Sequence, residues 1–541
     1  MSMPVWIKEK LFMRSMLEKA LKGLRNSPLP GIPLQLEETL PPLFFPEHHL
    51  SHAASAFYPS PFEDAAVVTL DGVGEWATTS ICHGKGRNIT VLREIHFPHS
   101  LGLLYSAFTA YCGFKVNSGE YKLMGLAPYG LNPDHKNGER TRGFEAKIRE
   151  ELVDIRDDGS YVLNMPYFAY ATGFHMYDRA RWEKLFGIPP REAEGEEIAQ
   201  EYMDMALAIQ NVTEDIVLRI VRTARELTGS RNLCMAGGVA LNCVANGKIW
   251  ETGMFDDIWV QPASGDAGGA LGAALAQWHI GMEQHRVPDK RDSMRGSYLG
   301  PAFSRDQVMS TCRRMKAPYT FYDNEQELYD TVSDLIADGN VVGWFQGRME
   351  YGPRALGNRS ILGDPRNAEM QKRLNLKIKY REGFRPFAPS VLEEEYAEYF
   401  DLKNISPYML VVGPVKESLR KPLPENYEDL PIWDRLYVVR SDIPAVTHVD
   451  FSARVQSVSQ ETNPRYWNLI DAFKRRHGCA VVVNTSFNVR GEPVVCTPFD
   501  AYLCFMRTEM DYLVLGDALL AKSEQPALAG DQDWRKQYVL D

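Results

Sequence analysis

Between residues 198 and 228 the apolar side chains Ile198, Tyr202, Met205, Ile209, Val212, Ile216 and Ile220 recur at spacings of four and three, with polar residues between them. That period draws one stripe along a long helix. From Asp64 the pattern is different: AAVVTL, TTSICH and ITVLREI are short, rich in β-branched residues and separated by the turns DGVGEW and GKGR. These runs predict a strand meander. Two later segments, NLCMAGGVALNCVANGKI and DIWVQPASGDAGGALGAALAQW, each read as a short apolar strand that ends in glycines and opens a helix.

From Gly281 to Ser304 the periodicity fades while charge, Pro and Gly accumulate. A domain boundary near residue 300 follows, giving domains 1–297 and 298–541. Beyond it a helix is expected over 325–338, and NAEMQKRLNLKIKYRE reads as another. CAVVVNTSFNVRGEPVV reads as strand, turn, strand, and AYLCFMRTEMDYLVLGDALLAK as helix then strand. Both halves mix the two element types, so the fold class is α/β. The opening MSMPVWIKEKLFMRSMLEKALKGLR is a basic amphipathic helix, expected to pack on the rest of the chain rather than on a membrane surface.

With 541 residues, 44% hydrophobic and 24% charged, the chain has the balance of a globular protein of several domains. The net charge of -11 and the lack of a basic block argue against a nucleic-acid partner. No apolar run reaches the roughly 18 residues that span a bilayer, and no signal peptide is recognisable, so a cytoplasmic location without a membrane partner is expected. The eight cysteines form no C-x-x-C pair and read as reduced core residues.

Candidate chemistry begins at HHLSHAASAF. His48 and His52, four apart, share a helical face and can converge on one metal, whereas His49 points elsewhere; the competing reading is a helix that happens to contain histidines. Asp71 closes a strand at a DG turn and Asp266 sits at a strand-to-helix junction. Two histidines with one or two carboxylates suit a divalent iron-type metal. Gly237, Gly238, Gly268 and Gly269 allow backbone to approach a phosphate or purine, or serve tight helix–strand packing. Glu120 and Lys122 lie in a glycine-rich loop, either as a solvated ion pair or oriented toward phosphate or metal.

The C-terminal half is densest in anion-binding side chains: Arg354 and Arg359, Lys379, Arg381 and Arg385, Ser486, Asn488 and Arg490, with Arg454 a further member. They stand among Gly, Pro and aromatic residues rather than paired acids, which favours an anion site. No nucleophile elbow is present, so positioning and electrostatics are the expected means of catalysis.

Taken in order, HHLSHAASAF, VVTLDGVGEW, SGEYKLMGLAPYG, AGGVALNC, SGDAGGALGAA, YGPRALGNRSIL, FRPFAPSVL and NTSFNVRGEP resemble the nodulation-protein and antibiotic-type O-carbamoyltransferases, over about residues 45 to 525. The resemblance implies an actin/hexokinase-like ATPase domain followed by a YrdC-like α/β domain. It further implies that carbamoyl phosphate and ATP form carbamoyl adenylate, whose carbamoyl group passes to a hydroxyl of a small molecule. Carried over residue by residue, the metal ligands are His48, His52, Asp71 and Asp266. Together with the residues' own chemistry, the candidate cofactor-binding set is Glu120, Lys122, Gly237, Gly238, Asn242, Gly268, Gly269, Arg354, Arg381 and Ser486, and the candidate catalytic set Lys379, Arg385, Arg454, Asn488 and Arg490. The implied cofactors are ATP and Fe2+ or another divalent metal, with Mg2+ a further candidate. Nothing before residue 45 matches the H-D-A-S-like hairpin with which family members open. The alternative expectation is therefore a nucleotide- and metal-binding subunit that needs a second polypeptide, such as a complementing N-terminal fragment; a homodimer is also a candidate.

Overall fold

The run DAAVVTL forms the strand Asp64–Leu70, buried at six of its seven positions, and a strand covered on both faces belongs inside a sheet. In the computed structural model it pairs antiparallel with Ala77–Lys85 on one side and parallel with Asn232–Ala236 on the other. Asn88–His96 and Asp257–Val260 complete five strands, of which only Ala77–Lys85 runs against the rest. That open, mostly parallel sheet fits the expected actin- and hexokinase-like class. The helix Gln200–Thr228 buries Tyr202, Met205, Ile209, Val212, Ile216 and Ile220, the stripe expected of it.

The structure describes residues 11–24, 42–133, 138–192, 198–381 and 383–528. The chain divides into two units, Met1–Pro46 and Glu47–Asp541. The short unit contains the helix Met13–Leu24. Residues 1–10 and Arg25 of the amphipathic segment lie outside the described residues.

A second sheet of eight strands runs, in spatial order, Gln456–Val458, Ala388–Leu392, Val481–Ser486, Arg359–Gly363, Val342–Phe345, Tyr512–Leu515, Ala518–Ala521 and Thr320–Phe321. Val481–Ser486 is bonded on both sides, antiparallel to Arg359–Gly363 and to Ala388–Leu392. Its apolar residues are buried in a core with Trp344 and Phe505. The molecule is thus a mixed α/β protein. No described helix is long and apolar enough to cross a membrane. The eight cysteines are free, and all but Cys496 are buried.

Four local expectations need correction. GEPVV does not form a second strand: Pro493 has no N–H to give a ladder, and the segment follows the cavity described below. AYLCFMRTEMDYLVLGDALLAK yields a helix, Pro498–Arg507, and then two strands rather than one, because Gly516, at φ 59°, turns the chain between them. NAEMQKRLNLKIKYRE is helical from Met370 to Lys379 rather than throughout, as an α-helix to Arg373 and a wider π-helix over Leu374–Lys379; Glu382 lies outside the described residues. SGEYKLMGL is not a loop, since Glu120–Leu126 is a helix that buries Lys122, Leu123 and Leu126.

Candidate functional site

HHLSHAASAF is helical from His48 to Phe57, and the one-turn spacing brings two imidazoles together: His48 Nε2 and His52 Nε2 are 3.0 Å apart. Asp71, at the end of the central strand, places Oδ2 2.9 Å from the first and 3.4 Å from the second. Asp266 Oδ1 lies at 3.6 and 3.7 Å from the same two atoms. One ligand atom from each residue falls within a 4.8 Å cluster. Two imidazoles and two carboxylates converging on a point form a donor set that fits a divalent transition metal. His52 Nδ1 is buried without a hydrogen-bond partner among the described residues, so the outer support usual for a histidine ligand is lacking there.

The hydrogen bond to Asp71 raises the pKa of His48 against the opposing effect of burial. Burial would raise the Asp71 carboxyl, but His48, His52 and the Gly238 N–H, 3.0 Å from Oδ1, outweigh it and hold the group well below the usual carboxylate range. His49 turns away from the cluster. Its Nδ1 lies 2.8 Å from both Thr69 Oγ1 and Ser80 Oγ, and burial lowers its pKa to about 4.

Glycines set the spacing of this centre. Gly237, at φ 91°, crosses so close to Leu70 that a Cβ would enter its carbonyl, and this close crossing aims the next N–H at Asp71. Gly272, in the helix Asp266–Ala276, passes against Ser51 in the histidine helix, where a Cβ would overlap the Ser51 carbonyl. That contact brings Asp266 to the histidines. Gly268 packs on the Ala263 carbonyl in the same way, whereas Gly269 has open space around it.

The second centre is a cavity of about 650 Å³ lined from both halves of the chain. Among the described residues its wall carries seven basic side chains, Lys115, Arg354, Lys379, Arg381, Arg385, Arg454 and Arg490, against two acids, Asp450 and Glu492. Such an excess calls for bound anions. Burial, with Arg454 adding its repulsion, pushes Arg354 down to about 9. Arg385 donates to the Tyr121 hydroxyl at 3.2 Å.

Lys379 is fully engaged by the loop it was expected to work beside. Its ammonium donates to the carbonyl and hydroxyl of Ser486 and to the carbonyl and Oδ1 of Asn488, the last two at 2.8 and 2.7 Å. Burial, followed by the nearby Arg381, drives its pKa well below the ordinary lysine value. The two centres are joined by one loop. The Tyr351 hydroxyl bonds the carbonyl of Ala267, next to Asp266, and Arg354, three residues on, stands in the cavity wall.

Arg354, Lys379, Arg381, Arg385, Arg454, Ser486, Asn488 and Arg490 therefore share one cavity, and His48, His52, Asp71 and Asp266 one cluster. Glu120 and Lys122 belong to neither. Glu120 accepts from the Ser106 hydroxyl at 2.7 Å and the Asn117 N–H at 3.0 Å, while Lys122 is buried and Tyr121 between them faces the cavity. Asn242 caps the helix Cys243–Thr252 and pairs with Gln210. Arg359 is structural rather than anion-facing: fully buried, it lies 3.7 Å over the Phe345 ring and donates to the carbonyls of Gln346 and Asn358. Sequence reasoning missed Tyr121, His448 and Asp450 on the cavity wall. The last two stand in HVDFSAR, the stretch that supplied Arg454, and an exposed-looking acid four residues from an arginine was the available signal.

The histidine and carboxylate cluster at the end of one sheet is thus tied by a loop to the basic cavity beside another, in an α/β protein. The chain belongs to the carbamoyltransferase family: residues 1–275 match the family's N-terminal model and residues 333–522 its C-terminal model. It is similar to an uncharacterized Synechocystis protein, 55% identical over 100% of this chain and 85% of that one. It is also similar to nodulation protein NolO of Bradyrhizobium diazoefficiens, 39% identical over 90% of this chain and 80% of the relative. The 3'-hydroxymethylcephem-O-carbamoyltransferase of Amycolatopsis lactamdurans is 32% identical over 89% of this chain and 81% of its own.

Proposed function

We propose that this chain catalyses ATP-dependent O-carbamoyl transfer from carbamoyl phosphate, by way of carbamoyl adenylate, to a hydroxyl of a small molecule. The observation that carries the reading is the convergence of seven basic side chains on one cavity. Two phosphorylated reactants repel each other, by about 4 kcal/mol per pair of unit charges at 4 Å and an effective dielectric constant of 20. The guanidiniums of Arg354, Arg381, Arg385, Arg454 and Arg490 offset that repulsion and hold the reactants together.

For atoms to balance, carbamoyl phosphate and water yield carbamate and inorganic phosphate, a carbamate oxygen attacks the α-phosphorus of ATP, and pyrophosphate leaves. The acceptor hydroxyl oxygen then attacks the carbamoyl carbon, AMP leaves, and the hydroxyl proton goes to solvent or a base. His48, His52, Asp71 and Asp266 would hold a divalent iron-type ion, which when bound supplies Lewis-acid polarisation of an oxygen. An acceptor hydroxyl is supported by the carbamoyltransferase relative whose name specifies O-carbamoyl transfer to a hydroxymethylcephem. Its need for ATP makes the cytoplasm the proposed location.

The purified chain is expected to convert ATP to AMP and pyrophosphate only when carbamoyl phosphate is present. A folded, iron-loaded preparation that forms no AMP under those conditions would sink the proposal.

A further inference from the structure

Asp450 opens on the cavity with 45% of its side chain exposed. Its Oδ1 takes the Ser452 N–H at 3.0 Å and the Ser452 hydroxyl at 2.6 Å, and lies 3.6 Å from His448 Nδ1. Oδ2 has no hydrogen-bond partner among the described residues. Burial would raise this carboxyl, but the His448 imidazole and the two Ser452 donors prevail and hold it at about 2, so it is ionised. A carboxylate in a cavity built for phosphates opposes their binding. A hydrogen-bond donor on the ligand offsets that opposition.

Asp450, in the turn before the strand Ser452–Arg454, lines the cavity together with Ser452, Ala453 and Arg454 of that strand. A ligand whose phosphate is held by the cavity's guanidiniums can present its adjoining group to Asp450 on the same cavity lining. In carbamoyl phosphate that group is an amide, whose two N–H bonds the surrounding guanidiniums cannot accept. We infer that Asp450 accepts a hydrogen bond from the carbamoyl NH2 and selects carbamoyl phosphate over acyl phosphates of the same shape that carry a methyl group there. The inference rests on the proposed substrate. A site built to bond a polar group rejects the analogue that lacks it, because the protein partner is then left unpaired.

Binding of carbamoyl phosphate, acetyl phosphate and inorganic phosphate to the full chain, unaltered and as Asp450→Ala and Asp450→Asn, tests this by calorimetry. The unaltered chain is expected to favour carbamoyl over acetyl phosphate by about 10-fold or more, as a hydrogen bond to a charged group allows. Asp450→Ala is expected to bring that ratio close to one without weakening inorganic phosphate, and Asp450→Asn, which keeps an acceptor oxygen, to retain part of it. An unchanged ratio in Asp450→Ala overturns the assignment. So does an equal loss of all three ligands, which would mark a structural role, or a loss of ATP binding alone, which would place Asp450 against the nucleotide. If the unaltered chain binds no carbamoyl phosphate at all, the proposed function itself fails, and the role of Asp450 falls with it.

Discussion

His48 Nε2 and His52 Nε2 face each other at 3.0 Å across one turn of helix, and Asp71 Oδ2 stands 2.9 Å from the first of them. At most one hydrogen fits between two such nitrogens, and the carboxylate competes for the same point. An ion with several coordination positions satisfies all three atoms at once. The purified chain is expected to retain about one equivalent of ferrous or a similar divalent ion after dialysis. His52→Ala should lower the affinity by more than about 100-fold, the upper end of what outer-shell changes cost. Asp266→Asn should cost less, because that side chain is 81% exposed and water can take its place. Equal metal content in all three proteins would refute the site.

Two glycines of one helix are expected to behave oppositely. Gly269→Ala meets nothing within 4 Å and should be neutral or gain up to about 1 kcal/mol through helix propensity. Gly272→Ala forces a methyl group into the Ser51 carbonyl and should cost about 1 to 3 kcal/mol, with loss of metal as Asp266 moves off the histidines. Urea unfolding and metal analysis of the two variants decide the matter.

Arg359 and Arg454 should separate stability from binding. Arg359→Met strands the carbonyls that the guanidinium now bonds, at about 1 to 3 kcal/mol for an unsatisfied buried group, and should lower the melting temperature. Arg454→Ala should stay within about 0.5 kcal/mol of the parent in stability. It should instead weaken inorganic phosphate binding, as read by calorimetry. The reverse pattern would mean that the two roles had been assigned to the wrong arginines.

Asp292 carries a pH dependence of known sign. Burial raises its pKa despite the hydrogen bond from the Tyr408 hydroxyl at 2.7 Å and the bond from the Arg295 N–H. A carboxyl whose folded pKa exceeds its unfolded one costs stability while ionised, and that cost disappears as pH falls through the raised value toward the unfolded one. Asp292→Asn, which still accepts from Tyr408, should therefore be more stable than the parent at neutral pH, by a margin that shrinks on acidification. Unfolding curves across that range would expose an error as a constant or growing margin.

The amino-acid order by itself determined the elements with a clear period. Among these are the stripe from Tyr202 to Ile220, the meander after Asp64 and the glycine turn at Gly237, because hydrophobic spacing and backbone freedom act within a few residues. It also marked His48 with His52, and the arginines of the second half, through residue type and spacing. Only the tertiary structure decided which of them meet. Asp266 joins the histidines because Gly272 lets two helices touch at Ser51, and Arg454 shares a cavity with Arg490 because separate segments bend around one space. The tertiary structure also turned Arg359 inward onto Phe345 and left Glu120 and Lys122 off the cavity wall. The physical reason is common to these cases. A side chain's chemistry is set by its type, but its partner is set by packing between distant segments, which has no period along the chain to read.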